Sequence, residues 1–506
     1  MAEIFTATAL RRLEAAAIAA LPAGTLMQRA ASEVADATGR LARTLPPARP
    51  VLALVGPGNN GGDALLAALL LRERGHACSA IALRPDGPGA GESVDAWRAA
   101  RATGLHIDLP GDLPALLAAA PIVIDGLFGI GLDRPLDGDA RRMCEAVTQA
   151  ALPVVAVDVP SGIDADTGAI IGGERGCAMR ATVTVTMIAD KPGLHTGAAL
   201  DHVGRLRVAA LGLGAQRAEF ARTAGAEVGR LFDAACATRG SAPRARDSHK
   251  GSFGTVLAYG GAPGMRGAAL LAARGAQALG AGKVHVGTPT DELFDPGQPQ
   301  LMTAPAEPDF GAFDAVAIGC GLGRSDASRQ RVAAALAGAR ALVLDADALN
   351  LLAGEPELAG ARQTRSGAAV RRVMTPHPLE AARLLRCEAA QVQADRRGAA
   401  IQLAQRYRMV ALLKGAGSVV ATPDGAWSII DAGSPALASA GTGDVLAGMI
   451  AALLARGHEP ETAACLAAWL HGRAGMLFEA AHGHAEGLSA AELPGLVRQV
   501  LGRPDR

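Results

Sequence analysis

At 506 residues the chain exceeds what one hydrophobic core supports, and two to three domains are expected. Half of its residues are hydrophobic, 19% are charged and 3% are aromatic, with 49 basic residues against 49 acidic ones. That balance excludes wholesale disorder, and it offers neither the basic field nor the stacking rings of a nucleic-acid binder, nor a charge that draws the chain to membranes.

Seven cysteines without C-x-x-C or paired spacing fit reduced thiols in a cytoplasmic protein, and no zinc site is expected. The first two dozen residues lack the basic start and sustained apolar core of a signal peptide. The longest apolar runs stop short of the ~18 residues a membrane helix needs.

In chain order, VLALVG (51–56), SAIALRP (79–85), IVIDGLFG (122–129) and PVVAVDVPSG (153–162) read as buried strands, three of them ending in glycine loops. DALLAALLLRERG and DARRMCEAVTQAAL read as helices between them, and ATVTVTMIADKPGL (181–194) as a later strand. Continuous apolar strands alternating with helices predict a parallel sheet covered on both faces. Residues 215–250 are charged and rich in small residues, which sets a boundary between domains 1–224 and 225–506. Beyond it GTVLAYGG (254–261), KVHVGTP (283–289), AVAIGCGLG (315–323), ALVLDADALN (341–350) and the 409–430 stretch form a second α/β pattern. No internal repeat is visible, so the halves are different domains.

Gly56, Gly58 and Gly61 satisfy G-x-G-x-x-G between a strand and a helix, the spacing of a dinucleotide loop. The acidic residue expected about 20 positions on is missing, and SAIALRP carries Arg84 instead, which keeps an NADP-dependent oxidoreductase in view. Asn59, Asn60 and Asp63 crowd one turn that a plain Rossmann loop leaves apolar; helix capping is the alternative. Asp125, Asp158 and Ser161 stand at other strand ends, where ligands of parallel sheets collect. Asn60, Asp125 and Ser161 offer oxygen ligands to a hard cation, which leaves Asp158 as a base.

GPGNNGGD, IDGLFGIGLDRPL, VDVPSGIDADTG and DKPGLHTG together resemble the NAD(P)H-hydrate epimerase family over residues 10–215. The resemblance implies that Asn59, Asn60, Gly61, Gly62 and Asp63, with Gly129, Ile130, Gly131, Leu132, Asp133, Arg134 and Pro135, bind the hydrated nucleotide. It implies that Asn60, Asp125 and Ser161 hold potassium, and that Asp158 meets the substrate. Lys191 in ADKPGL is a candidate helper, with a surface ion pair as the alternative. Ala64 departs from the family pattern, which commonly places a further glycine there.

In SAGTGDVLAG (439–448), Gly441, Thr442 and Gly443 lead into a helix beginning near Asp444. Free amides at such a helix start form an anion hole. A carboxylate beside the hole makes sense as the acceptor of a hydroxyl proton, with N-capping as the alternative. This word resembles the ribokinase-like fold. With HKGSFGTV, IGCGLG, LDADALN, TPHPLE and LLKGAG, it resembles the ADP/ATP-dependent NAD(P)H-hydrate dehydratases over residues 225–500. By that pattern Ala268, Gly323, His377 and Asp444 contact the hydrated nucleotide, and Lys414, Gly415, Ala416, Gly417, Ser418 and Gly443 the adenine nucleotide. Leu379 departs from the family's glycine. By residue type alone, a snorkelling surface lysine is the alternative for Lys414, and His377 reads equally as a turn residue.

The expected fold is α/β: a Rossmann-like three-layer αβα domain followed by a ribokinase-like αβα domain. The expected function is repair of hydrated NAD(P)H, by epimerisation of its R and S forms and ADP-dependent dehydration of the S form. K+ is expected in the first domain and Mg2+ with ADP in the second. The expected partners are NADHX, NADPHX, ADP and further copies of the chain in a homo-oligomer, with no nucleic acid and no membrane. Two other classes fit parts of the sequence: an NADP-dependent oxidoreductase fused to a small-molecule kinase, and a silent nucleotide-sensing scaffold.

Overall fold

The computed structural model describes residues 2–47, 49–88, 91–240, 244–290, 293–355, 358 and 371–502. The chain divides into two compact units, Glu3–Gly229 and Arg230–Arg506, the latter with Met1–Ala2. Among the described residues no helix is long and apolar enough to cross a membrane.

In the N-terminal unit seven strands pair in parallel. Their order is His106–Asp108, Cys78–Ala82, Val51–Val55, Ile122–Gly126, Val154–Val157, Val183–Met187 and Arg205–Ala209. Side chains of a strand alternate between faces, and both faces here are apolar. Val51, Ala53 and Val55 join one cluster with Leu65 and Leu71 of the helix Asn59–Glu73 and Val34 of Thr25–Ala42. Leu52 and Leu54 point the other way, against Met143, Cys144 and Val147 of Gly138–Gln149. The sheet is thus covered on both sides, the αβα arrangement expected, and its order reverses beside Val51–Val55, where α/β sheets open a crevice.

The C-terminal unit is built on a mixed sheet. Its order runs Val228–Phe232, Trp427–Ile430, Val419–Ala421, Val410–Leu413, Arg371–Met374, Ala341–Leu344, Ala315–Ile318, Thr255–Tyr259, Lys283–Gly287 and Met302–Thr303. Only the hairpins through Val419–Ala421 are antiparallel in that run. The helix Thr442–Ala455 is apolar on nearly every side, with Val445–Leu454 all buried, so it runs through the core rather than along the surface. It packs on the helix Arg266–Ala278 through glycines. A Cβ at Gly448 would stand 1.8 Å from the Ala272 carbonyl oxygen, and one at Gly275 2.2 Å from that of Val445.

Candidate active sites

The N-terminal unit holds a cavity of about 740 Å3, lined by Pro57–Asn60, Asp63, Leu127–Arg134, Asp158, Met187, Ile188 and Lys191 among others. Asp158 lies just past Val154–Val157 in a γ-turn: Val159 N–H bonds the Val157 carbonyl at 2.9 Å, and φ of Asp158 is +69°. Ile188 repeats the turn past the neighbouring strand, with Ala189 N–H on the Met187 carbonyl at 2.8 Å and φ +68°. Turns of this hand are rare and strained, and a β-branched residue in them is an outlier. Two such strained turns stand side by side, which makes these strand ends candidate functional positions.

The Asp158 Oδ1 accepts from Lys191 Nζ at 2.7 Å, from Met187 N–H at 2.9 Å and from the Thr186 hydroxyl at 3.4 Å. Lys191 is 1% exposed and also reaches Thr186 Oγ1 at 2.6 Å and the Met187 and Ala189 carbonyls. It is therefore half of a buried, fully bonded pair and not a surface one. Removing one member of such a pair costs about 3–5 kcal/mol, because the other charge stays buried.

Behind the cavity, Asp125 accepts the Ser161 hydroxyl on Oδ1 at 2.7 Å and the Ser161 N–H on Oδ2 at 2.9 Å. Burial, only partly offset by the Ser161 bonds, pushes Asp125 up to about 6. No basic side chain bonds it among the described residues. Asn60 donates its Nδ2 to the Val157 carbonyl at 2.7 Å, and its amide lies so close to Gly129 that a Cβ there would meet Oδ1 at 2.7 Å. Ser161 Oγ accepts from Phe128 N–H at 3.0 Å in the same loop. Asn60, Asp125 and Ser161 thus gather around residues 126–129, with one buried carboxylate lacking a countercharge.

Asp63 is 7% exposed, lines the cavity and accepts no hydrogen bond among the described residues. Burial first, then the carboxylates of Asp158, Glu14 and Glu92, hold its pKa well above the aspartate range. Glu14, from the helix Ala7–Ala20, and Glu92, which accepts Gly24 N–H at 2.7 Å, also line the cavity. Neither belongs to a recognisable word of sequence, and only the fold brings them here. Gly61, Gly62 and Pro135 stand outside the lining. A Cβ at Gly56 would stand 1.7 Å from the Leu127 oxygen and one at Gly61 2.3 Å from that of Gly56, so both glycines are required by backbone packing alone. Arg84 is exposed and outside the cavity. Ala64 is fully buried, and its methyl occupies the space that a side chain at Gly126 would need.

In the C-terminal unit the helix carrying Asp444 begins at Thr442, two residues earlier than expected, with Gly441 at φ +89° as its cap. Asp444 is therefore in the first turn and caps nothing. The buried imidazole of His471, pulled down to about 4 by burial, bonds the Thr442 carbonyl at 3.0 Å and fixes this turn. Burial and the charge of Asp345 push Asp444 up to about 6. Asp345 follows the strand Ala341–Leu344; its Oδ1 accepts from Lys414 Nζ at 2.7 Å and Thr375 Oγ1 at 2.8 Å. Lys414 is thus no snorkelling surface residue. Burial pulls its pKa down, and the carboxylates of Asp345 and Glu380 raise it further than that.

Ala346, between Asp345 and Asp347, has φ +48° and ψ −115°. Asp347 accepts the Gly323 N–H at 2.8 Å. A Cβ at Gly443 would stand 3.3 Å from Lys414 Nζ, and a Cβ at Gly321 3.0 Å from that of Ala268, so the predicted residues share this corner with Asp345. The fully buried Arg396 bonds the Lys414 carbonyl at 3.2 Å, and its guanidinium is where a Cβ of Gly415 would fall. Ser418 closes the loop on the Gly415 carbonyl at 3.1 Å.

His377 caps the helix Pro378–Leu385 through Nδ1, which accepts Leu379 N–H at 3.2 Å, while Glu380 accepts the His377 N–H at 2.9 Å. Leu379 is 48% exposed. The words LDADALN and IGCGLG do not by themselves single out Asp345 or Cys320; the available signal is a carboxylate directly after an apolar strand.

Each unit therefore brings a buried aspartate and a lysine to the carboxyl end of a largely parallel sheet, the layout of an α/β enzyme with two separate sites. The NAD(P)H-hydrate dehydratase family model matches residues 256–494, and that of the YjeF-related protein N-terminus matches residues 23–193. The bifunctional NAD(P)H-hydrate repair enzyme Nnr of Escherichia coli (strain K12) is 36% identical over 471 residues, covering 90% of this chain and 86% of its own. Its counterpart from Gloeobacter violaceus is 38% identical over 508 residues, covering 94% and 93%. A solved ADP/ATP-dependent NAD(P)H-hydrate dehydratase from Bacillus subtilis is 30% identical, covers 55% of this chain and 99% of its own, and superposes with a TM-score of 0.47. The chain belongs to the family of bifunctional NAD(P)H-hydrate repair enzymes.

Proposed function

We propose that residues 1–224 interconvert the R and S epimers of hydrated NADH and NADPH at C6, and that residues 225–506 dehydrate the S form at the expense of ADP. The observation that carries this reading is that each unit sets an aspartate, buried Asp158 in the first and half-buried Asp444 in the second, beside residues named for its own ligand.

In the first site Asp158, held by Lys191, takes the C6 hydroxyl proton as the C6–N1 bond opens, and returns it when the ring closes on the other face. Asn59–Asp63 and Gly129–Pro135 surround the nucleotide. The oxygens of Asn60, Asp125 and Ser161 fit a hard monovalent cation, because a buried carboxylate there lacks a countercharge; these residues would hold potassium, which would supply that charge.

In the second site Asp444 removes the proton from the C6 hydroxyl, whose oxygen attacks the terminal phosphorus of ADP, and AMP leaves. Phosphate then departs from C6 with the bonding pair as the N1 lone pair forms the iminium, and loss of a C5 proton restores the ring double bond. The amides from Thr442 onward steady the phosphoryl group. Lys414–Ser418 and Gly443 hold the nucleotide, and magnesium, if bound with it, would offset the phosphate charge. Ala268, Gly323 and His377 face the hydrated nicotinamide. A cytoplasmic homo-oligomer is the setting this reading assumes.

The test is a pair of variants followed by recovery of nicotinamide absorbance. Asp158→Asn should lose R-to-S conversion by about 10²–10⁴ and still dehydrate pure S epimer. Asp444→Asn should lose dehydration of pure S epimer and still interconvert R and S, read by chromatographic separation of the epimers. Variants that fail together, or an Asp444→Asn enzyme keeping more than about a tenth of its dehydration rate, would defeat the assignment.

A further inference from the structure

Asp63 takes no part in the chemistry assigned so far. The N-terminal cavity collects carboxylates from four separate elements: Glu14 of Ala7–Ala20, Asp63 of Asn59–Glu73, Glu92 at the start of Glu92–Ala102, and Asp158 just past Val154–Val157. Lys191, the buried cation of the lining, is already committed, with Nζ 2.7 Å from Asp158 Oδ1 and 2.6 Å from Thr186 Oγ1. Glu92 Oε1 has the Gly24 N–H at 2.7 Å. Asp133 and Arg134 complete the charged lining and are exposed. Asp63, at 7% exposed, faces the same cavity and accepts no hydrogen bond among the described residues.

The two aspartates therefore sit in opposite surroundings. A carboxylate that receives an ammonium and a main-chain amide gives up its proton readily. One that is buried, without a donor and among other carboxylates keeps it. Burial first, then Asp158, Glu14 and Glu92, all act in that direction on Asp63. Two carboxylates of one site in different protonation states can work as an acid and a base.

The ring opening needs both. As Asp158 takes the C6 hydroxyl proton, the O–H pair becomes the second C6–O bond and the C6–N1 pair passes to N1. That nitrogen leaves as an anion unless a proton reaches it. We propose that Asp63 is a second catalytic residue of epimerisation, the general acid that gives its proton to N1 as the C6–N1 bond breaks. That role rests on the reading of Asp158 as the base. The open form has a C6 aldehyde and an N1–H, with the hydroxyl proton on Asp158 and Asp63 ionised. After rotation about C5–C6, N1 attacks the other face of the aldehyde. Asp63 takes the N1 proton back, and Asp158 returns its own to the oxygen. The cycle balances with no oxidant, reductant or co-reactant.

The experiment uses the full chain and pure R epimer, with the epimers separated by chromatography, from about pH 5 to 9. Asp63→Asn should lose about 10²–10⁴ in epimerase kcat, with KM for the R epimer within about threefold. Its near-ultraviolet dichroism and its dehydration of S epimer should match the parent. The infrared difference between the parent and Asp63→Asn at pH 7 should contain the band of a protonated carboxyl. Glu14→Gln removes a neighbouring charge and leaves both aspartates in place. It should move the basic limb of epimerase kcat/KM toward lower pH, because Asp63 then releases its proton more easily. A folded Asp63→Asn enzyme that keeps more than about a tenth of its epimerase kcat would overturn the proposal. So would a loss confined to KM, the mark of a residue that only holds the nucleotide, or the absence of the protonated-carboxyl band, or an unmoved basic limb in Glu14→Gln. Asp158→Asn reports separately: if it still epimerises, the base assignment falls, and if it is inactive while Asp63→Asn is not, only the role of Asp63 falls.

Discussion

Asp63 and Asp158 face one cavity with opposite electrostatics. Asp158 has an ammonium 2.7 Å away, and Asp63 has three carboxylates and no hydrogen bond among the described residues. The folded protein therefore keeps a proton on Asp63 to a higher pH than the unfolded chain does. Its stability contribution falls as pH rises above the ordinary aspartate value of about 3.9, because the folded state binds the extra proton across that window. Asn is neutral at every pH and nearly isosteric. Asp63→Asn should melt closer to the parent at pH 5 and increasingly above it toward pH 8, measured by calorimetry at constant ionic strength. A melting difference that does not change with pH would mean that Asp63 ionises freely in the folded protein.

At the scale of elements, the strands were legible because continuous apolar runs such as VLALV and ALVL have no other use in an α/β chain. The starts of the two critical helices were not. Asn59–Gly62 and Thr442–Gly443 have poor helix propensity, so propensity places both starts later. They are helical because the fold needs glycine there and because first-turn amides need no partner within the helix. The same conflict predicts stabilities. In a free helix Gly→Ala gains about 1 kcal/mol. At Gly448 the new Cβ would sit 1.8 Å from the Ala272 carbonyl oxygen, a backbone atom that cannot swing aside. Gly448→Ala should therefore cost about 1–3 kcal/mol or more, read as a lower urea midpoint. Gly267, in the partner helix, has nothing within 4 Å of its would-be Cβ, and Gly267→Ala should be neutral or stabilising. Equal shifts in both variants would show that the helix contact tolerates a methyl.

For the whole molecule, two candidate-site aspartates stand out in the sequence because each sits inside a short word: Asp158 in VDVPSG and Asp444 in SAGTGD. Lys191 and Lys414 were readable as candidates but not as buried partners, since their burial depends on strands far away in sequence. Glu14, Glu92, Asp345 and Cys320 reach their sites across dozens to hundreds of residues, and no local pattern records that. The overall charge balance conceals the same fact. The chain carries 49 residues of each sign, yet the N-terminal cavity collects Glu14, Asp63, Glu92 and Asp158 around one lysine that is already paired. Composition reports totals, and only the fold decides where like charges are forced together.

Ala346 has a consequence for the durability of the enzyme. At φ +48° and ψ −115° it occupies a conformation that only glycine takes without penalty. Strain of this kind is worth about 1–3 kcal/mol. Glycine's extra freedom in the unfolded chain costs about 0.4–1 kcal/mol, so strain relief wins. Ala346→Gly should then melt higher than the parent, against the usual sign of that substitution. It should also turn over more slowly, because Asp345 and Asp347 on either side would no longer be clamped at a fixed separation. Melting temperature and S-epimer turnover measured on one preparation decide this, and a variant that melts lower would show that the backbone is relaxed there. If the variant is both tougher and slower, the methyl of a single alanine is where this lineage has traded lifetime for rate.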